Sequence, residues 1–235
     1  MTGTGLFGLS AADWGIIMLS LRIAFVAILF ALPLAFAVAW VLARYSFPGK
    51  SLLQAFVTMP LVLPPVVTGY LLLVWFGSRG ALGAPLDEWF GISLAFRWTG
   101  AALAAGVMAF PLLVRPMRLS IENIDRGLEE AARTLGAGRL VAFFTVTLPM
   151  LLPGIIAGAV LGFAKALGEF GATITFVSNI PGETQTLSLA IYSFLQTPAG
   201  DSAAIKLILV SASLSVAAVI LSEWLQRRLD ARRPG

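Results

Sequence analysis

The sequence predicts an all-α membrane protein, a polytopic bundle of five transmembrane helices, and three observations carry that prediction. Of 235 residues, 58% are hydrophobic and only 12% are charged, about half the ~25% charged content of a typical soluble domain. The charges cluster, leaving uncharged runs at 23–43, 51–78, 98–114, 140–164 and 207–222. Basic residues also gather on alternate connections between those runs, as the positive-inside rule requires of a multi-span protein.

Each run is then judged by length. A helix rising ~1.5 Å per residue needs about 20 mostly apolar residues to cross a ~30 Å hydrocarbon core. The first, second and fourth runs are long enough as they stand. The third and fifth reach full length when Arg97, Arg115, Lys206 and Glu223 extend their charged ends toward water. The expected spans are 15–43, 51–77, 96–118, 140–166 and 204–225, in one membrane domain covering residues 1–235. The opening residues "MTGTGLFGLSAADW" lack a positive region and a small-residue cleavage site, so the first run is expected to be a retained span.

Five spans place three connections on one side. These hold Arg44 and Lys50; Arg115, Arg118, Arg126, Arg133 and Arg139; and Arg227, Arg228, Arg232 and Arg233. Eleven of the 16 basic residues thus share a side, which puts the N-terminus outside and the C-terminus in the cytoplasm. Trp14, Trp75, Trp89, Trp98 and Trp224 fall near the expected interfaces. Arg22, at the outer border of the first span, reads as an anchor.

Composition also excludes chemistry. Cysteine and histidine are both absent, which removes disulfides, thiolate nucleophiles, His-based triads and the usual zinc or haem ligands. The spans hold no paired carboxylates, so an intramembrane enzyme is a remote alternative. Basic residues flank apolar runs and form no aromatic-interleaved patch, so no nucleic-acid partner is expected. Gly49-Lys50-Ser51 looks like the end of a nucleotide-binding loop, but Arg44 stands where that motif needs its first glycine.

Residues 184–200, "TQTLSLAIYSFLQTPAG", are uncharged but short and polar. Leu187, Ala190, Ile191 and Phe194 recur at helical spacing, which fits either an amphipathic helix on the outer side or a shallow re-entrant segment.

A charged helix is expected on the cytoplasmic side over residues 120–136. Ser120 is its expected N-cap, with Glu122 in the first turn. Ile121, Ile124, Leu128, Ala131, Ala132 and Leu135 form an apolar stripe, Glu122–Arg126 and Glu129–Arg133 are i,i+4 pairs, and Gly136 and Gly138 end the helix. Periodicity alone also allows a helix lying on the lipid surface.

The stretch from Glu130 to Pro149 resembles the cytoplasmic-loop signature of ATP-binding-cassette importer permeases: Glu-Ala-Ala, three residues, Gly, nine residues, Ile, any residue, Leu-Pro. Here it falls on Glu130, Ala131, Ala132, Gly136, Val146, Leu148 and Pro149, with Val146 in place of Ile. The resemblance implies the type I importer permease fold, in which this loop is a short coupling helix docked on an ATPase subunit. "SFPGKSLLQAFVTMPLVLPPVVTGYLLLVWFG" and "LGEFGATITFVSNIPGETQT" resemble bacterial molybdate-transport permeases, and the short segment before the first span is similar to their compact five-span form. That similarity implies a permease homodimer, two cytoplasmic ATPase subunits, an external molybdate-binding protein and no cofactor. Tungstate, sulfate and thiosulfate permeases share the signature.

Two further features stand in the fourth span. Gly154, Gly158 and Gly162, followed by Ala166, form a ridge of small residues that lets helices approach closely, either across a dimer or within one subunit. Lys165 and Glu169 are rare charges near its outer end. They either extend outward to water, or Lys165 attracts an anion while Glu169 holds it. Pro149 and Pro153 in this span, and Pro60, Pro64 and Pro65 in the second, leave carbonyls for neighbours to satisfy.

Overall fold

A computed structural model describes residues 9–198 and 200–230; Arg232 and Arg233 of the expected basic tail lie outside them. All regular secondary structure among the described residues is helical. Four helices are long and apolar enough to cross a membrane, and a bent helix pair brings the possible number to five.

Helix α1 (Ala11–Arg44) starts on a capping box. The Ser10 hydroxyl accepts the Asp13 N–H at 3.2 Å, and the Asp13 carboxylate accepts the Ser10 N–H at 2.8 Å. The expected single span 51–77 is instead two helices, α2 (Lys50–Val62) and α3 (Pro65–Phe76), bent by 114°. Pro64 and Pro65 cause the break: Pro65 has no N–H to continue α2, and its ring excludes a helical residue before it. Each piece, at ~1.5 Å per residue, is too short to cross alone.

The pair lies in the segment that connects α1 to the next long helix. A short helix α4 (Gly83–Phe90) follows, then α5 (Trp98–Glu122). The Arg22 guanidinium, about three turns into α1, lies 3.8 Å from the ring centre of Trp98 at the start of α5. Arg44 at the end of α1 pairs with Glu129, just beyond the end of α5. Helices α1 and α5 therefore run in the same direction, so the segment between them must return to the starting side.

Helix α5 continues past the expected limit of 118, and Ser120 lies within its last turn instead of capping a new helix. A break at Asn123–Asp125 leads to α6 (Arg126–Thr134) and α7 (Arg139–Ala142). A π-turn, Phe143–Thr147, runs into α8 (Leu148–Leu167). There the Leu148 N–H reaches back five residues to the Phe143 carbonyl. Pro149 crowds the carbonyl four residues before it and donates nothing, and one widened turn relieves that conflict.

Helix α8 runs antiparallel to α5 along the glycine ridge. A Cβ on Gly154 would lie 2.0 Å from the Ser120 Oγ, one on Gly158 2.9 Å from the Leu113 carbonyl oxygen, and one on Gly162 2.6 Å from the Leu113 Cδ2. The ridge thus packs against α5 of the same chain. Beyond α8, helix α9 (Gly171–Val177) lies on α3, where a Cβ on Gly69 would meet the Ala172 carbonyl oxygen at 2.5 Å.

Residues 184–200 contain α10 (Leu187–Leu195), and α11 (Asp201–Asp230) completes the described chain. Leu187, Leu189 and Ala190 are buried in the bundle, so α10 packs its apolar face on protein and is not a surface amphipathic helix. The buried Ser20 hydroxyl of α1 accepts the Leu187 N–H at 2.7 Å and donates to the Ile16 carbonyl at 2.8 Å.

Candidate functional site

The end of the bundle that carries α6 concentrates the sequence-selected residues. Asp125 caps α6, its carboxylate accepting the Gly127 N–H at 2.8 Å. At the other end the Gly136 N–H bonds the Arg133 carbonyl and the Ala137 N–H bonds the Ala132 carbonyl, both at 3.1 Å. These two bonds make a Schellman motif, which needs a left-handed residue at its centre, and Gly136 supplies it with φ +94°. Helix α6 is thus nine residues with a defined start and stop.

The expected apolar stripe divides at the break. Ile121 and Ile124 belong to the buried core, whereas Leu128 is 44% and Leu135 90% exposed. Glu130, Ala131 and Gly136 are exposed beside them, Ala132 is half-buried, and Leu148 and Pro149 start α8 above the π-turn. Of the expected charge pairs, Glu122–Arg126 involves a side chain outside the described ones; Glu122 accepts from the Arg118 Nε at 2.7 Å. Glu129 pairs with Arg44 of α1 instead of Arg133.

Glu129 makes a second bond. The same carboxylate oxygen accepts the hydroxyl of Thr147, the last residue of the π-turn, at 2.9 Å. The hydroxyl is shielded from solvent, since Thr147 is 1% exposed. Rings close the other side of this junction: Trp40 of α1 meets Phe143 edge to face at 5.5 Å, and Phe36 meets Phe143 at 6.5 Å. Sequence reasoning missed Arg44 and Thr147 as members of this group. No periodic signal joins residues 44, 129 and 147, because the contact depends on how α1, α6 and α8 end together.

Toward the opposite end, the Lys165 Nζ donates to Glu169 at 2.6 Å, and the other oxygen of that carboxylate accepts the Ala172 N–H at 3.0 Å. Glu169 is 2% exposed, so it does not extend outward to water. Among the described residues there is no His/Cys/Asp/Glu group able to hold a metal ion. A cavity of about 710 Å³ between α1, α2 and α5 is lined by apolar side chains such as Val26, Phe30, Phe56, Leu103 and Phe110. It offers no charge to an anion.

Comparison with known proteins places this architecture. The pattern of the family described as binding-protein-dependent transport system inner membrane component matches residues 31–231. The chain is 57% identical over 219 residues to the molybdenum transport system permease protein ModB of Escherichia coli K12, covering 93% of this chain and 96% of that protein. It is 40% identical over 198 residues to the sulfate transport system permease protein CysT of Salmonella typhimurium, covering 83% of this chain and 70% of that one. In fold it resembles a chain of a bacterial alginate ABC transporter solved with an alginate pentasaccharide-bound periplasmic protein. The TM-score is 0.69 at 20% identity, covering 94% of this chain and 80% of the other. The chain belongs to the family of inner-membrane components of binding-protein-dependent transport systems.

Proposed function

We propose that this permease subunit carries molybdate across the inner membrane by alternating access. It works as a homodimer with two cytoplasmic ATPase subunits and an external molybdate-binding protein, its own N-terminus outside. The chain is a transport component, and ATP is hydrolysed by a separate subunit. The observation that carries the coupling role is α6: a short, doubly capped helix whose Leu128 and Leu135 are exposed at the end of the bundle. Apolar side chains held on so short a helix suit a groove on a partner, with Glu130 at the rim and Gly136, Leu148 and Pro149 setting the return into α8.

The substrate reading rests on the 57% identity to the E. coli molybdenum permease, set against 40% to the sulfate permease. Lys165 is already paired with Glu169, but its side chain is 30% exposed, which leaves the ammonium accessible to an anion as well. Reconstitution with the ATPase and the binding protein tests the reading. ATP-dependent uptake of molybdate that is not displaced by excess sulfate is the expected result. Preferential uptake of sulfate would favour the second substrate, and uptake without added ATPase would overturn the coupling scheme.

A further inference from the structure

We infer that Glu129 is the positioning residue that joins the coupling helix to two spans at once, so that movement of α6 reaches α1 and α8 together. This deepens the coupling role proposed for α6 and rests on it. One Glu129 oxygen accepts both the Arg44 guanidinium at the end of α1 and the Thr147 hydroxyl at the foot of α8. The carboxylate is the sole element of α6 that contacts both through hydrogen bonds among the described residues.

The surroundings suit transmission of force better than simple attachment. The Arg44 guanidinium carbon also lies 5.1 Å from the Trp40 ring centre, and Trp40 in turn packs on Phe143 at the start of the π-turn. The π-turn is thus gripped at both ends, by aromatic rings at Phe143 and by Glu129 at Thr147. A widened turn can revert to regular helix by shifting one hydrogen-bond register, which rotates the helix beyond it. A shift of α6 would move Thr147 and Arg44 by the same carboxylate, turning α8 and drawing α1 with it. Loss of that carboxylate leaves α6 attached by its backbone but able to move without the spans.

The test uses the reconstituted transporter with its ATPase and binding protein, reading molybdate uptake, ATP consumed per ion, and the amount of ATPase subunit retained. Glu129→Gln keeps the size and removes the charge; Thr147→Val removes only the second bond. Coupling between sites typically spans 5–150-fold. On that scale, Glu129→Gln is expected to lower uptake about ten-fold and raise ATP per ion by a similar factor with the ATPase still bound. Thr147→Val acts in the same direction and more weakly. The charge swap Arg44→Glu/Glu129→Arg should recover at least half of the uptake lost in the Glu129→Arg single variant. Unchanged ATP per ion in both Glu129→Gln and Thr147→Val overturns the inference. So does loss of the ATPase subunit in Glu129→Gln that the swap does not recover, since that would make Glu129 a docking or folding residue only. Failure of the coupling-helix reading itself would appear elsewhere, as normal ATPase binding and uptake in both Glu130→Lys and Gly136→Leu.

Discussion

Gly154 of α8 and Ser120 of α5 touch so closely that a Cβ on the glycine would lie 2.0 Å from the serine hydroxyl oxygen. The contact is one step of a ridge that continues through Gly158 and Gly162 against Leu113. Without a strong hydrophobic drive between helices in lipid, such close backbone packing is a main source of association.

Gly158→Leu is therefore expected to force α5 and α8 apart. Overpacking of a close contact costs about 1–3 kcal/mol, and at Gly158 the obstacle is the Leu113 backbone carbonyl, which has little room to yield. A lower Tm in detergent and reduced uptake should follow. Gly138→Ala is the control: its Cβ would meet nothing within 4 Å, so its Tm should match the parent's. Equal Tm values for both variants would remove the ridge as a packing determinant.

Ser20→Ala should destabilise the other end of the bundle. The alanine would leave the buried Leu187 N–H without its acceptor, and an unsatisfied buried donor costs about 1–3 kcal/mol. Helix α10 would detach first. Faster hydrogen exchange at residues 187–190 in Ser20→Ala, with the α5 core unchanged, is the expected result; parental exchange there would show that α10 is held by packing alone.

The sequence made the spans and the glycine ridge legible because both depend on local patterns: uncharged length and a four-residue repeat. It also made Gly136 legible, since a helix stop needs a residue free to adopt positive φ, and the Schellman bonds occur there. The start of α6 was misread for an equally local reason. Ser120 before Glu122 has the form of a cap, but the hydroxyl lies against Gly154 while α5 runs on. Asn123 and Asp125 carried the actual break and cap. The split second span was signalled by Pro64-Pro65, yet an apolar run gives no measure of angle. Arg44, Glu129 and Thr147 could not be joined from the sequence, because their meeting depends on three chain segments separated by up to 103 residues (147 − 44).

Lys165→Met should reduce molybdate uptake, with Lys165→Arg retaining more of it. The structure complicates the simple comparison, because Met also leaves the buried Glu169 with only the Ala172 N–H. Removing one partner of a buried pair costs about 3–5 kcal/mol in protein interiors, and less here because Lys165 is 30% exposed. Lys165→Met/Glu169→Gln removes the stranded charge. If the double variant is stable yet still fails to transport, Lys165 acts on the anion. If uptake returns, the lysine serves only to neutralise Glu169.

Helix α6 gives the most direct test of how ATP hydrolysis reaches the spans. Gly136 sits at φ +94° with open space around it, so Gly136→Leu meets no clash and pays only backbone strain, about 1–2 kcal/mol for a left-handed non-glycine residue. Much of that strain can be relieved by unwinding the Schellman turn, which would shift Leu128 and Leu135 relative to Glu130. Glu130→Lys leaves the backbone alone and reverses one exposed charge at the rim. Both variants should insert and dimerise, retain less ATPase subunit after purification, and lose uptake by at least ten-fold on the scale of coupling energies. Their difference is informative: Gly136→Leu should show faster hydrogen exchange over 132–138, and Glu130→Lys should not. Normal transport by Gly136→Leu would mean that the register set by the turn does not matter to docking. Normal transport by both would leave α6 a surface helix with no mechanical role.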